Sequence, residues 1–322
     1  MPADKLHPDA QRVCEMIIAS GRPPIETLTP VEARAVYLAS KPILQPDPEP
    51  VAEITDLQAE GPAGPIPLRL YRGRPAEQAS PQPVVVYFHG GGWVIGDLES
   101  HDQLCRALAN AVPSTVIAVH YRLAPEHKFP AAVEDAIAAT RWIAANADRL
   151  KVDPNRLAVA GDSAGGNLSA VAAISARDSG QARPVFQFLI YPGTDMAMQS
   201  ASILRHAEQL PLTRKGMQWF LNHYLNGPQD VEDWRASPLR ATNLRGLPPA
   251  LIITAGFDPL SDEGEAFAAA LAAAGVPVEL ERFEGQIHGF ITMGRIVADA
   301  RRALERGTVR LAAAFGLNRS GA

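Results

Sequence analysis

Apolar positions along the chain fall into two recurring patterns. Continuous runs at Val84–Phe88, Thr115–Val119, Leu157–Ala160, Phe186–Ile190, Ala250–Thr254 and Val278–Phe283 have the character of strands covered on both faces. Between them, helical spacing predicts helices at about Gln103–Ala111, Ala131–Ala147, Asn167–Asp178, Glu263–Ala274 and Ile296–Phe315. Ahead of these, Val51–Leu57 and Pro67–Tyr71 alternate apolar with polar residues around the turn signal Gly61-Pro62-Ala63-Gly64, which predicts an antiparallel pair. Strands alternating with helices predict an α/β fold. The expected core is a mostly parallel eight-stranded sheet, antiparallel at one edge, with helices on both faces.

Two segments break this alternation. Residues 1–45 carry helical pattern but no strand, with Pro23-Pro24, Pro30 and Pro42 as breakers. Residues 196–236 follow the strand end at Tyr191-Pro192 and contain an amphipathic helix from Thr213 to Leu225, with Met217, Phe220, Leu221 and Tyr224 at helical spacing. An insertion at the carboxyl end of a strand lies where open α/β sheets bind ligands. The expected layout is therefore 1–45 as the first part of a helical cap, 46–195 as the first part of the core, 196–236 as the cap insertion and 237–322 as the rest of the core.

Composition narrows the function classes. The 322 residues carry 30 basic and 35 acidic side chains, a formal charge of −5, with no basic stripe to attract nucleic acid or an anionic membrane. No run of about 18 apolar residues is present to insert stably in a membrane. The first residues lack the apolar core of a signal peptide, so the expected location is the cytoplasm. Cys14 and Cys105 do not make a disulfide framework and read as buried, reduced thiols. None of the eight histidines forms an H-x-x-x-H pair, so neither a metal nor another cofactor is expected.

The chemistry lies at strand ends. Leu157–Ala160 leads into Gly161-Asp162-Ser163-Ala164-Gly165-Gly166 and then a small-residue helix, the strand–turn–helix setting in which G-x-S-x-G is a nucleophile elbow. Val84–Phe88 ends in His89-Gly90-Gly91-Gly92-Trp93, a glycine loop suited to presenting backbone N–H groups to a developing oxyanion. Ala164, which follows the serine, supplies another such N–H. His89 is expected to pin the glycine loop through its backbone.

A serine hydroxyl needs a base, and the base needs an orienting acid. His288 follows the last strand and completes the chain order serine, acid, histidine; His206 and His223 lie in the insertion, and His7, His101, His120 and His127 read as surface or loop residues. Asp258 and Asp195 both follow strands. Asp258 is preferred because its strand directly precedes the histidine loop and its own loop is shorter. Asp162 is assigned to the turn itself, and Asp262 and Glu284 to the surface or to supporting contacts.

These segments, together with Tyr121-Arg122-Leu123-Ala124-Pro125-Glu126, Asp258-Pro259-Leu260 and His288-Gly289-Phe290, resemble the bacterial hormone-sensitive-lipase-like esterases, often called family IV. They occur in that family's order over about residues 50–315, and the Gly-Asp-Ser-Ala-Gly form resembles its larger branch. Ser261 departs from the arginine common there. The resemblance implies an α/β-hydrolase domain with a helical cap, carboxylesterase activity on short- to medium-chain esters, and oxyanion donors at Gly91, Gly92 and Ala164. The expected partner is a small-molecule ester, and a homodimer is left open. An amidase or acyltransferase using the same three residues is the alternative. A non-catalytic binding protein is disfavoured by the intact Ser163, Asp258 and His288.

Overall fold

The computed structural model describes residues 5–75 and 80–317. The outermost residues of the predicted 1–45 and 237–322 segments, 1–4 and 318–322, lie outside the described residues. Two helices come first, α1 (Pro8–Ala19) and α2 (Pro30–Leu44), followed by β1 (Glu53–Gly61), β2 (Gly64–Arg72) and β3 (Gln82–Phe88). The chain continues with α3 (Asp102–Ala111), β4 (Thr115–Val119), α4 (Ala131–Ala145), α5 (Ala147–Leu150), β5 (Val152–Asp162) and α6 (Ala164–Ser179). Next are β6 (Phe186–Ile190), α7 (Ala201–Arg205), α8 (Arg214–Tyr224), β7 (Ala250–Phe257), α9 (Ser261–Ala273), β8 (Val278–Ile287) and α10 (Ala298–Ala314).

One eight-stranded sheet runs in the order β1-β2-β4-β3-β5-β6-β7-β8. Only β2 opposes the rest: it pairs antiparallel with both β1 and β4, and every other neighbouring pair is parallel. Successive strand residues point to opposite faces, so each central strand feeds two cores. Val84, Val86, Leu157, Val159 and Leu189 join the core beneath α4, α6 and α9, whereas Val85, Tyr87, Ala158, Ala160 and Phe188 join the one beneath α3 and α10. Leu157–Ala160 is fully buried, which accounts for its unbroken apolar run.

The carboxyl ends of β3, β5, β7 and β8 open toward helices from the first residues and from the segment after β6. Helix α2 starts with a reciprocal cap: Glu32 N–H donates to the Thr29 hydroxyl at 3.3 Å, and Thr29 N–H donates to the Glu32 carboxylate at 2.8 Å. The Trp219 indole N–H of α8 donates to the Leu28 carbonyl at 3.1 Å, tying the two helical segments together. Helix α1 is also anchored to the body, since His7 N–H donates to the Gly285 carbonyl at 2.9 Å and Ala10, Val13 and Cys14 share a core with Tyr191 and Phe290. Among the described residues no helix is long and apolar enough to cross a membrane.

Candidate active site

Ser163 occupies the single position between the last residue of β5 and the first of α6. Its backbone, at φ +55° and ψ −118°, lies outside the regions that L-residues prefer, a local strain that the packed strand and helix must hold in place. The turn closes only because Gly165 lacks a side chain: a Cβ there would overlap the Phe88 carbonyl oxygen at the end of β3. Strands β3 and β5 are parallel neighbours with Phe88 opposite Gly161, so the serine and the glycine loop emerge side by side.

The adjacent pair β7–β8 delivers the other two groups. Asp258 and His288 each follow the end of one of these strands, where Phe257 lies opposite Ile287. The His288 Nδ1–H donates to Asp258 Oδ2 at 2.7 Å, which leaves Nε2 free to accept from the Ser163 hydroxyl at 2.9 Å. Asp258 is fully buried, and its other oxygen accepts the Leu260 N–H at 2.8 Å, so the carboxylate is fixed from both sides. The Tyr191 ring, 4.8 Å from the imidazole between centroids, supports one side of His288. Asp195 does not reach this group; its carboxylate accepts from the Arg240 guanidinium at 2.9 Å and from Ala197 N–H at 3.0 Å.

Gly91 and Gly92 have φ of +123° and +56°, and both line the cavity above Ser163. Neither N–H has a hydrogen-bond acceptor among the described residues. Ala164 opens α6, where first-turn N–H groups have no intrahelical acceptor. These three residues line the same cavity as Ser163, and Ala164 stands at the positive end of a helix dipole.

Asp162 joins the elbow to the glycine loop. The Tyr87 hydroxyl donates to Oδ1 at 2.7 Å, Gly90 N–H donates to the same oxygen at 3.0 Å, and the His101 Nε2 lies 3.2 Å away. Burial alone would raise the pKa of Asp162, but His101 and the hydrogen bonds from His101 and Tyr87 hold it below its ordinary value. His101 does sit in the turn that opens α3, but it is not a surface histidine: it is almost completely buried and belongs to this network. Its position, just before the buried face of α3, carried no local signal of a contact 61 residues away. His89 contacts the loop as expected, its Nδ1–H donating to the Gly90 carbonyl at 2.9 Å while Tyr121 donates to the His89 carbonyl at 2.7 Å. Burial, with His101 and His120 as neighbours, pushes the His89 pKa down to about 3 and keeps the ring neutral. His120 is also partly buried, stacked 5.9 Å from His89. Asp262 accepts Ser202 N–H at 2.7 Å and binds α7 to α9, and Glu284 pairs with Arg282.

The serine opens into a cavity of about 650 Å³. Its walls include Ile17, Leu28 and Tyr37 from the N-terminal helical segment and Met196, Met217 and Phe220 from the segment after β6. Trp219 faces away and serves as the tie to Leu28. No group of acidic, histidine and cysteine side chains among the described residues is arranged to hold a metal ion. Cys14 and Cys105 are free and buried. A hydroxyl, an imidazole held by a buried carboxylate and backbone N–H groups on one cavity are the parts that nucleophilic attack on a carbonyl compound requires.

Residues 85–292 match a family model described as the alpha/beta hydrolase fold. The carboxylic ester hydrolase LipN of Mycobacterium tuberculosis is 47% identical over 254 residues, which cover 77% of this chain and 67% of that protein. The ethyl acetate hydrolase of Pseudomonas putida is 38% identical over 308 residues, 93% of this chain and 96% of that protein. Among solved structures, the hyperthermophilic esterase of the archaeon Pyrobaculum calidifontis superposes with a TM-score of 0.91 at 40% identity, covering 96% of this chain and 98% of that one.

Proposed function

The chain belongs to the α/β-hydrolase family and is a carboxylesterase of the hormone-sensitive-lipase-like group, and from that premise we propose that Ser163, His288 and Asp258 carry its chemistry. The observation that supports this reading best is the unbroken relay from Ser163 through His288 to Asp258, with contacts of 2.9 and 2.7 Å. Ser163 Oγ attacks the ester carbonyl carbon while its proton passes to His288 Nε2. The carbonyl oxygen becomes negative in front of the N–H groups of Gly91, Gly92 and Ala164. Asp258 keeps Nδ1 protonated, so Nε2 faces the serine, and it stabilises the imidazolium that forms. Collapse breaks the bond to the alkoxy group, which leaves as the alcohol with the proton from Nε2. Water then attacks the acyl-serine by the same route, and the carboxylic acid departs.

The segments 1–45 and 196–236 act in this reading as a cap that buries the acyl chain. The apolar walls and a volume of about 650 Å³ favour short- to medium-chain esters. The test is a series of aryl esters of increasing acyl length, with the matching anilides and an alcohol acceptor, assayed on the wild type. Hydrolysis of the shorter esters at rates far above those of the anilides is expected. Anilide turnover comparable to that of the esters, or alcohol capture that outruns hydrolysis, would reassign the reaction.

A further inference from the structure

Glu263, in the first turn of α9, lines the cavity yet has no part in the relay. Its side chain is almost completely buried. Oε1 accepts the Thr194 N–H at 2.7 Å and the Asp195 N–H at 3.2 Å, and its backbone carbonyl accepts the Thr194 hydroxyl at 2.8 Å. Oε2 has no hydrogen-bond partner and Glu263 has no ion pair among the described residues. The charged groups around it are acids: Asp195, held by Arg240 on the loop after β6, and Asp258, held by His288 on the loop after β7. Burial, despite the two N–H donors and reinforced by these acids, raises its pKa to about 8. The neutral acid carries its proton on the oxygen left without donors, Oε2. A carboxylic acid is thus a donor in search of an acceptor, and Glu263 forms part of the cavity wall. On the Oε1 side, Met196 and Trp93 are grouped with Glu263 around Gly193, whose N–H donates to the Ser163 carbonyl at 3.4 Å.

We propose that Glu263 recognises substrate, its Oε2 hydroxyl donating a hydrogen bond to an ether, keto or hydroxyl oxygen carried along the chain of the ester. The site then prefers oxygenated esters over plain hydrocarbon ones of the same length. A methylene at that point displaces water from the hydroxyl and leaves it unpaired, whereas an oxygen satisfies it. The proposal rests on the reading of this cavity as the ester site.

The experiment compares kcat/KM for pairs of esters that differ only by an oxygen replacing one methylene, with the replaced position scanned along the chain. Each rate is divided by the ester's own hydroxide-catalysed rate to remove intrinsic reactivity. At about pH 6, at least one position is expected to show a preference of about three- to tenfold for the oxygenated ester. The preference should fall toward one by about pH 10 as the acid ionises and loses its proton. Glu263→Gln keeps an N–H donor at all pH values and should hold the preference flat. Glu263→Leu should abolish it, and the Gln variant and the wild-type pH series keep the test decisive if the leucine variant misfolds. No preference at any position in the wild type, or a pH-dependent preference surviving in Glu263→Gln, overturns the proposal. Ser163→Ala, run in parallel, reports separately on the catalytic reading: residual turnover there condemns the relay and leaves the selectivity ratio to judge Glu263.

Discussion

Replacing Gly92 with alanine should lower kcat by about 10²–10³, the usual consequence of misplacing one oxyanion donor and equivalent to about 2.7–4 kcal/mol. Two effects follow from the added methyl. The backbone at φ +56° is one an alanine adopts at a cost of about 1–2 kcal/mol, which appears chiefly as lost stability. The larger effect is a collision: the new Cβ would overlap the Phe220 ring of α8. The loop or the cap must move, and an oxyanion donor works only within a few tenths of an ångström of its position. Because the obstacle is a side chain, it can be removed. Phe220→Ala alone should leave kcat near normal and raise KM, since the ring lines the cavity. In the Gly92→Ala background it should restore kcat by about tenfold or more, an interaction that a double-mutant cycle detects. Gly91→Ala makes the contrast, because its Cβ would meet the Ile95 carbonyl oxygen, a backbone atom that no truncation removes. Steady-state kinetics and thermal melts on the four variants and the wild type separate the two effects. A Gly92→Ala enzyme with normal kcat, or one whose loss is untouched by Phe220→Ala, would refute this placement of the donor.

The two acids can be told apart by their amides. Asp258→Asn should lower kcat by about 10⁴ through the wrong imidazole tautomer, as in a serine-protease triad, while Asp195→Asn, which loosens the Arg240 contact, should change kcat little; kinetics giving the reverse order would move the acid to Asp195. The buried histidine makes a pH prediction with a definite sign. His89 has a folded pKa of about 3, below the ordinary 6.5, so the unfolded chain binds the extra proton between those values and stability falls as the solution is acidified through that window, by about 1.4 kcal/mol per pH unit at most. Glu263 acts with the opposite slope from about pH 4.5 to 8, because its folded pKa is raised. Thermal melts of His89→Gln should therefore show a flatter acid limb than the wild type, and an unchanged limb would mean that His89 does not titrate on unfolding.

The sheet was legible because its strands are covered on both faces and leave long apolar runs; the predicted Thr115–Val119 and Phe186–Ile190 match the observed bounds. The strand order was not. That β2 lies between β1 and β4, and that β3 sits inside β4, depends on pairings between distant segments that no local pattern encodes. Strand β5 begins at Val152, five residues before the apolar run, because Val152 pairs with Gln82 although the residues between alternate poorly. Short helices such as α7 arise from tertiary capping, here Ser202 N–H on Asp262, and have too few residues to show a period. The site divides the same way. Ser163, Asp258 and His288 each follow a strand and carry a turn signature, so residue type and chain order point to the three side chains that the fold brings together. Asp162 and His101 meet across 61 residues inside the core, and Glu263 faces the cavity only because α9 packs beneath the 193–195 loop. Such contacts belong to the packed structure, and single residues in the sequence look like ordinary polar punctuation.

The central claim is that ester carbonyl carbon becomes bonded to Ser163. A phosphonate ester that mimics the tetrahedral intermediate, followed by proteolysis and mass spectrometry, tests it most directly. The account predicts one adduct per chain on the peptide holding Gly161-Asp162-Ser163-Ala164-Gly165, located at Ser163, with hydrolysis lost in step with labelling. Ser163→Ala, with unchanged circular dichroism, should neither label nor turn over ester. An adduct on a different residue, or hydrolysis that persists after Ser163 is fully modified, would contradict it.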